Sequence, residues 1–146
     1  MTNAYLKLYI KLIFIYAVKI EKNLFIINGP ESPSVKTNMV VSIEHHVNRI
    51  GECLDYLRKQ HFDSIEATIE AEDTWVNHVN DIANATLFPA AKSWYMGANI
   101  PGKPRVFMIY IAGFPSYLQK CSDVVKNGYE GFCLTKHPSL SSVTAE

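Results

Sequence analysis

Residues 37–58 read TNMVVSIEHHVNRIGECLDYLR and carry a regular helical pattern. Apolar residues recur there at intervals of three or four positions, at Met39, Ile43, Val47, Ile50, Leu54 and Leu57. This spacing places them on one face of an α-helix. Threonine and asparagine are common caps of helix N-termini, so the helix should begin at Thr37 or Asn38. The pattern therefore predicts one long amphipathic helix whose apolar face is buried against other apolar segments.

Apolar runs on either side of this helix are candidates for its packing partners. Residues 23–28, NLFIIN, end at Gly29 and Pro30, which predicts a buried strand followed by a turn. Residues 106–112, VFMIYIA, form a continuous apolar run. Such a run is typical of a strand that is covered on both faces, as in a parallel sheet. We therefore expect a strand at each of these two positions.

Two further helices are predicted downstream. The second helix should begin after Thr68 and end before Pro89, with acidic residues in its first turns that suit the helix dipole. Its buried residues are predicted to be Trp75, Val79, Ile82 and Leu87. The third should begin at Gly113 and Pro115 and end before a left-handed Gly128. The predicted class is α/β, a thin three-layer arrangement whose strands have too few partners.

Composition excludes several classes of protein. The chain has 146 residues, of which 48% are hydrophobic, so a disordered or collagen-like chain is excluded. Its 14 basic and 14 acidic residues give a formal charge of zero without a basic stripe, so no nucleic-acid partner is expected. Cys53, Cys121 and Cys133 are odd in number and widely spaced. They predict reduced thiols and a cytoplasmic location rather than a disulfide framework.

The N-terminal segment is apolar but does not match a membrane span. Residues 4–20, AYLKLYIKLIFIYAVKI, are interrupted by Lys7 and Lys11, whereas a bilayer-spanning helix needs about 20 predominantly apolar residues. No small-x-small cleavage site follows the apolar run, as a signal peptide requires. We expect a buried strand or short helix here. Membrane association through residues 4–20 stays open as an alternative.

The common motifs of self-contained catalysis and metal binding are missing from the sequence. It has no G-x-S-x-G, H-E-x-x-H or G-x-G-x-x-G motif. Gly97 to Lys103 match the glycine and lysine spacing of a P-loop, but Pro104 stands where a serine or threonine must bind magnesium. His45 and His46 are adjacent, without further ligands at metal-binding spacing. We expect two surface histidines and no metal site.

A loop of about a dozen residues is predicted at 93–104, where the sequence is rich in glycine, proline and asparagine and has no periodicity. Trp94 stands near its start. An indole there offers a flat face for stacking and one N–H donor. Two interpretations stay open: either Trp94 caps the core, or it contacts a ligand over which the loop closes.

Three stretches of the sequence resemble Baeyer-Villiger monooxygenases. They are residues 29–47, residues 65–114, which include SWYMGANIPGKPR, and residues 126–132, KNGYEGF. They look like the C-terminal third of the phenylacetone, steroid and cyclohexanone monooxygenase branch. The resemblance runs from Asn23 to Leu134 and leaves residues 1–22 outside. Enzymes of this family use FAD and NADPH to convert ketones into esters or lactones.

The resemblance implies binding roles for particular residues. Those assigned to NADP are Trp94, whose indole N–H would point toward the ribose, and Gly97, Asn99 and Lys103 in the loop that orders over the nicotinamide. Those assigned to FAD, beside the isoalloxazine ring, are Gly29, Pro30 and Met39. The substrate pocket is assigned Ser34, Val35 and Lys36. Glu31 and Lys36 depart from the family, which has glycine and leucine there. We expect these two charged side chains to pair with each other, because an unpaired buried charge is costly.

The resemblance also implies a division of the chain and its activity. Residues 1–22 form an unrelated apolar segment, residues 23–135 the C-terminal part of the FAD-binding domain with its lid at 93–104, and residues 136–146 a frayed tail. The fold is then an incomplete piece of an enzyme with two dinucleotide-binding domains. No catalytic residue is assigned, because both Rossmann fingerprints and the active-site arginine lie upstream in the family.

We therefore expect an enzyme that oxygenates ketones in its complete form. The chain alone should bind neither FAD nor NADPH and should be inactive, while an upstream polypeptide carries the missing domains. A non-catalytic α/β binding or interaction module derived from that family is the alternative. The two differ in solution behaviour, because a piece of a larger enzyme exposes an apolar face and aggregates.

Overall fold

The computed structural model describes residues 22–33, 36–91, 93–97, 101 and 105–136. The helices are α1 (Met39–Gln60), α2 (Ile69–Asn84) and α3 (Phe114–Lys126), and the strands are β1 (Ser64–Ala67) and β2 (Phe132–Thr135). Two short 3-10 turns, Phe88–Ala90 and Trp94–Met96, lie between α2 and α3. The mixed α/β class is confirmed. The predictions for residues 1–21 and for the tail beyond Lys136 lie outside the described residues.

The sheet differs from the prediction. β1 and β2 pair antiparallel, with Ser64 opposite Thr135 and Ala67 opposite Phe132, whereas residues 23–28 and 106–112 are not strands. The 106–112 segment makes two backbone hydrogen bonds to the adjacent residues Glu31 and Ser32 and one to Tyr95. A continuous apolar run becomes a strand only when a neighbouring chain runs alongside it, and among the described residues none does so.

The three helices begin close to where the sequence placed them, but α2 ends at Asn84 rather than just before Pro89, and Leu87, predicted to be buried, is 87% exposed. Asn38 caps α1, its side chain accepting a hydrogen bond from the Val40 N–H, and Thr68 caps α2 by accepting from the Ala71 N–H. After α3, Gly128 is left-handed with φ of 67°, as predicted for the residue that ends a helix. Local capping chemistry therefore decides the ends of these helices.

The face by which α1 packs is not the face predicted. Met39, Ile43, Val47 and Leu54 are exposed, and of the predicted apolar stripe only Leu57 is fully buried. The buried residues of α1 are Ser42, His46, Cys53 and Leu57. Because successive helical residues are rotated by about 100°, this buried face lies beside the apolar stripe. The helix therefore keeps a strongly apolar surface outside the core.

The core consists of two neighbouring clusters. The larger one gathers buried residues of α2, α3 and the 106–112 segment, among them Trp75, Val79, Phe107, Tyr110 and Tyr117. The Trp75 and Tyr110 rings stack with centroids 5.2 Å apart and planes 11° apart. The smaller cluster packs Cys53, Leu57, Ile65 and Tyr129 between α1 and β1. In the described part of the chain, no helix has the length and apolarity to cross a membrane.

Candidate functional site

Trp94 stands at the start of a short 3-10 turn that projects it from the core. The Ser93 side chain accepts a hydrogen bond from the Tyr95 N–H at 3.2 Å, and Gly97 ends the turn with a left-handed φ of 65°. Met96 is buried and anchors the turn, whereas the Trp94 ring lies over Tyr95 with centroids 3.9 Å apart. Trp94 is 62% exposed. The interpretation in which Trp94 caps the core is therefore wrong, and its indole face is open to a partner.

The turn at Gly29 and Pro30 is held by hydrogen bonds within itself. The Ser32 hydroxyl donates to the Gly29 carbonyl at 2.6 Å. Asn28 and Glu31, on either side of the Gly-Pro pair, are left-handed with φ of 52° and 60°. A positive φ is uncommon for residues other than glycine. Because two such residues flank the Gly-Pro pair, the turn has a specific backbone conformation.

Met108 connects this turn to the Trp94 turn. The Met108 carbonyl accepts a hydrogen bond from the Glu31 N–H at 2.8 Å, and the Met108 N–H donates to the Tyr95 carbonyl at 2.9 Å. The two groups of residues assigned to FAD and to NADP by resemblance are far apart in the sequence. The structure brings their two turns to opposite sides of one residue, and so forms one candidate site from two distant segments.

His46 supports the Gly29–Pro30 turn from the α1 side. Its Nδ1 accepts a hydrogen bond from the Asn28 N–H at 3.0 Å, and its Nε2 lies 3.1 Å from the Tyr117 hydroxyl. Burial, with the neighbouring His45 as a smaller cause, lowers the pKa of the His46 imidazole to about 4. The ring is therefore neutral at pH 7. Since Nδ1 accepts, the proton is on Nε2, which donates to Tyr117.

The prediction that His45 and His46 are surface residues is wrong for His46, which is fully buried. The apolar residues of α1 lie on the face next to the buried one, so their periodicity predicted the wrong buried face. A usable signal was present in the spacing of Ser42, His46, Cys53 and Leu57, which also recurs with helical periodicity. Glu72, one of the acidic residues in the first turns of α2, is also buried.

We expect His46→Ala to lower the free energy of unfolding by about 2 to 3 kcal/mol at pH 7, because it removes a buried hydrogen-bonding group and leaves the Asn28 N–H without its acceptor. The contribution of His46 is present above the unfolded pKa of 6.5 and is lost as the pH falls toward 4. Chemical denaturation between pH 4 and pH 7 measures both effects. His45→Ala, at the neighbouring half-buried position, should cost less, and equal losses from both variants would contradict this role.

Glu31 is a buried acid that forms no ion pair with any residue in the described part of the chain. It is 1% exposed, and its Oε2 has no hydrogen-bond partner among the described residues. Burial raises the pKa of the Glu31 carboxyl to about 8. The predicted pairing with Lys36 is wrong, because Lys36 is exposed and its Nζ lies 5.8 Å from the centroid of the Phe88 ring. The Glu31 carboxyl is therefore protonated at neutral pH.

The other predicted site residues are placed as follows. Met39 is 46% exposed and lies beside the turn, with its Sδ 3.9 Å from the Asn28 amide nitrogen. Gly29 and Pro30 are half-buried. Four predicted site residues lie outside the described residues, namely Ser34, Val35, Asn99 and Lys103. Within the described part, no group of histidine, cysteine and acidic residues could hold a metal ion.

Known proteins with similar sequences are Baeyer-Villiger and related flavin monooxygenases. The chain is 42% identical over 110 residues to cyclohexanone 1,2-monooxygenase of an Acinetobacter species, and 43% identical over 107 residues to a Baeyer-Villiger monooxygenase of Pseudooceanicola batsensis. These matches cover 75% and 73% of this chain but only 20% and 19% of the relatives. The chain thus spans about one fifth of the length of these relatives. No family model matches the chain.

Solved structures give the same result for the fold. Cyclohexanone monooxygenase of Rhodococcus sp. Phi1, bound to NADP+, matches with a TM-score of 0.75 and 36% identity. A steroid monooxygenase bound to NADP matches with the same TM-score and identity. In both cases the match covers 88% of this chain and 23% of the other. The agreement extends over nearly all of this chain but over less than a quarter of each solved structure.

Proposed function

Because this chain is related in sequence and fold to one fifth of a Baeyer-Villiger flavin monooxygenase, we propose that it supplies the cofactor-lid portion of such an enzyme. In this proposal residues 23–135 complete the FAD-binding domain, and the loop at 93–104 closes over NADPH. The complete enzyme oxygenates a ketone to an ester or lactone. An upstream polypeptide carries the dinucleotide-binding segments, and the free thiols Cys53, Cys121 and Cys133 favour the cytoplasm as the compartment.

The observation that carries this proposal is the connection through Met108. Its two backbone hydrogen bonds hold the Gly29–Pro30 turn and the Trp94 turn to one segment. Flavin and nicotinamide must lie against each other for hydride transfer, so residues that touch them must also be neighbours. The closeness of the Gly29–Pro30 turn and the Trp94 turn, which are distant in the sequence, supports this proposal.

The side chains present fit the edges of the two cofactors. Trp94 and Met39 are exposed apolar groups, and flat rings pack well on such groups. Gly97 ends the Trp94 turn without a side chain of its own. Trp94, Gly97, Asn99 and Lys103 would contact NADP, and Gly29, Pro30 and Met39 would contact FAD, while Ser34, Val35 and Lys36 would line the ketone pocket. The bound FAD supplies the redox chemistry, whereas these residues bind, orient and exclude water.

The chain alone is proposed to be inactive. Purified protein should be colourless and should not oxidise NADPH when a ketone is added, because the phosphate-binding segments of both cofactors lie elsewhere in the relatives. Absorbance near the flavin bands and an NADPH-consumption assay test this. A yellow preparation that retains FAD through gel filtration would contradict the proposal.

Replacing Trp94 should weaken NADP+ binding in a chimera. The chimera is Acinetobacter cyclohexanone monooxygenase in which residues 23–136 of this chain replace the matching segment. We expect Trp94→Ala to raise the Kd for NADP+ by about ten-fold or more, because it removes a stacking face and an N–H donor. Leu87→Ala is the matched control, because Leu87 is also an exposed apolar residue outside the regular helices. Equal Kd values in the parent and Trp94→Ala chimeras would contradict the role of Trp94.

The alternative function is a non-catalytic α/β interaction module. It predicts a soluble monomer or dimer that unfolds cooperatively, whereas an incomplete portion of an enzyme should aggregate through its exposed apolar surface. The exposure of Met39, Ile43, Val47 and Leu54 on α1 favours the enzyme portion. Gel filtration together with a thermal melt distinguishes the two.

A further inference from the structure

Lys36 carries a positive charge that no acidic residue in the described part of the chain neutralises. Its side chain is exposed, and the ion pairs in that part of the chain both lie within α1 and involve other residues. Glu31, the partner expected from the sequence, is buried elsewhere. The Lys36 ammonium is therefore available to an anion from outside the chain.

The Lys36 ammonium lies near the Trp94 turn. Its Nζ is 5.8 Å from the centroid of the Phe88 ring. That ring is packed against the larger core cluster and lies edge-on to Tyr95, with centroids 6.3 Å apart, while the Tyr95 ring contacts Trp94. In the sequence, Lys36 closely follows the Gly29–Pro30 turn. The charge is therefore placed at the candidate site.

The contact between Lys36 and Phe88 leaves the ammonium free to bind a stronger partner. A lysine over an aromatic ring at an exposed position gains little compared with a charge-assisted hydrogen bond to a carboxylate. The start of α1 adds to this preference, because its first turn contains no acidic residue and the N-terminal end of a helix carries partial positive charge. The local charge distribution thus favours an anion near Nζ.

Closure of the site would raise the cost of leaving Lys36 unpaired. In the proposed function, the loop at 93–104 closes over the cofactor and excludes water. An ammonium that loses its water is costly unless it meets a group of opposite charge. A neutral ketone does not provide such a group, whereas a ketone that bears a carboxylate does. The charge of Lys36 therefore favours an anionic substrate.

We propose that Lys36 is a specificity-determining residue and that the complete enzyme oxygenates ketones that carry a carboxylate in preference to neutral ketones. This inference rests on the proposed function and names the substrate class of the same site. A lysine ammonium is a compact point charge with three N–H donors, so it binds a carboxylate in several orientations. The ketone carbonyl, at the other end of the substrate, is left free for the oxygenation.

The test uses the chimera defined above, loaded with FAD and NADP+, and two ketones of nearly equal size. One is cyclohexanone with a carboxylate on the ring carbon opposite the carbonyl, and the other is its neutral methyl ester. Perturbation of the flavin absorbance measures the Kd of each ketone, and the ratio of the two Kd values measures the selectivity. The variants are Lys36→Met, which removes the charge, and Lys36→Arg, which keeps it. Lys59→Met is the matched control, because Lys59 is an exposed lysine in the last turn of α1.

We expect the parent chimera to bind the carboxylate about ten-fold or more tightly than the ester, because only the carboxylate forms a charge-assisted hydrogen bond with Lys36. Lys36→Met should reduce this ratio to about one, whereas Lys36→Arg and Lys59→Met should keep it. The ratio of kcat/KM values for the two ketones should change in the same way.

Two results would overturn the role of Lys36 in substrate selection. One is a ratio that is near one in the parent chimera or unchanged in Lys36→Met. The other is a Lys36→Met chimera that keeps the ratio but binds NADP+ more weakly, since Lys36 would then contact a phosphate of the cofactor instead of the substrate.

Failure of this proposal is distinguishable from failure of the proposed function. If Trp94→Ala weakens NADP+ binding but Lys36→Met leaves the selectivity unchanged, the role of Lys36 is wrong and the cofactor role stands. If Lys36→Met abolishes the selectivity but Trp94→Ala leaves NADP+ binding unchanged, the opposite holds.

Discussion

Glu31→Gln is expected to stabilise the chain by about 3 kcal/mol at pH 7. Burial raises the pKa of Glu31 from 4.5 to about 8, so the folded chain must retain a proton that the unfolded chain releases. One pKa unit corresponds to about 1.4 kcal/mol. At pH 7, which is 2.5 units above the unfolded pKa of 4.5, retaining this proton costs about 3 kcal/mol. Glutamine has nearly the same shape and does not ionise, so Glu31→Gln removes this cost.

The pH dependence has a definite sign. The folded pKa of Glu31 lies above the unfolded value, so its protonated form stabilises the fold fully below pH 4.5. This stabilisation is lost as the pH rises from 4.5 to about 8, at about 1.4 kcal/mol per unit. The parent and Glu31→Gln chains should therefore have similar stability near pH 4.5 and diverge above it.

Urea unfolding at several pH values between 4.5 and 8 measures the divergence. Glu44→Gln, on the exposed side of α1, is the control for replacing a glutamate by glutamine at an exposed position. Glu31→Gly should stabilise the chain at pH 7 as well, because glycine adopts the left-handed φ of 60° without the cost that other residues bear. The same slope in the parent and Glu31→Gln would show that Glu31 is ionised in the folded chain.

Gly131→Ala is expected to destabilise the fold by about 2 to 4 kcal/mol. A Cβ at position 131 would lie 2.8 Å from the Cβ of Ala71, and the residue has φ of 88°. The added methyl must therefore overcome both a clash with α2 and an unfavourable backbone conformation. The Gly131 carbonyl also accepts the Thr68 N–H at 2.9 Å, so any shift disturbs the start of α2.

Gly51→Ala is the matched control for this substitution. Gly51 lies in α1, and a Cβ there would meet nothing within 4 Å. Alanine has a higher helix propensity than glycine by about 1 kcal/mol, so this variant should be stabilised slightly. Denaturation midpoints of the two variants measure these effects, and a Gly131→Ala chain as stable as the parent would contradict the close approach of Gly131 to Ala71.

Local sequence patterns predicted the helices well because caps and periodicity act over a few residues. Asn38, Thr68 and Gly128 each perform the role that their residue type favours. The strands were mispredicted because pairing is a long-range property. Residues 106–112 have the composition of a buried strand but lack a neighbour among the described residues, whereas β1 and β2 are short and have weak apolar patterns.

The apolar residues of α1 show why burial could not be predicted from periodicity. Their spacing is more regular than that of the buried residues Ser42, His46, Cys53 and Leu57. A single chain sequence does not state which of two adjacent faces meets its own core. The same ambiguity concealed His46, whose burial depends on Asn28 and Tyr117, residues 18 and 71 positions away.

The candidate site rests on residues that the family resemblance selected and on contacts that the structure adds. The family resemblance selected Gly29, Pro30, Met39, Trp94 and Gly97, and the structure connects their two turns through Met108. Trp94 is exposed, which composition alone left undecided. The neutral Glu31 and the supporting His46 could not be identified from sequence, because both depend on contacts between distant segments.

Reduction of the flavin by NADPH in the chimera tests the cofactor-lid role most directly. Stopped-flow absorbance would compare FAD-loaded chimera with the same cyclohexanone monooxygenase lacking its matched segment. We expect NADPH to bleach the flavin of the chimera and to cause no such reaction in the truncated enzyme. A folded chimera that retains FAD but is not reduced by NADPH would contradict the proposed cofactor-lid role.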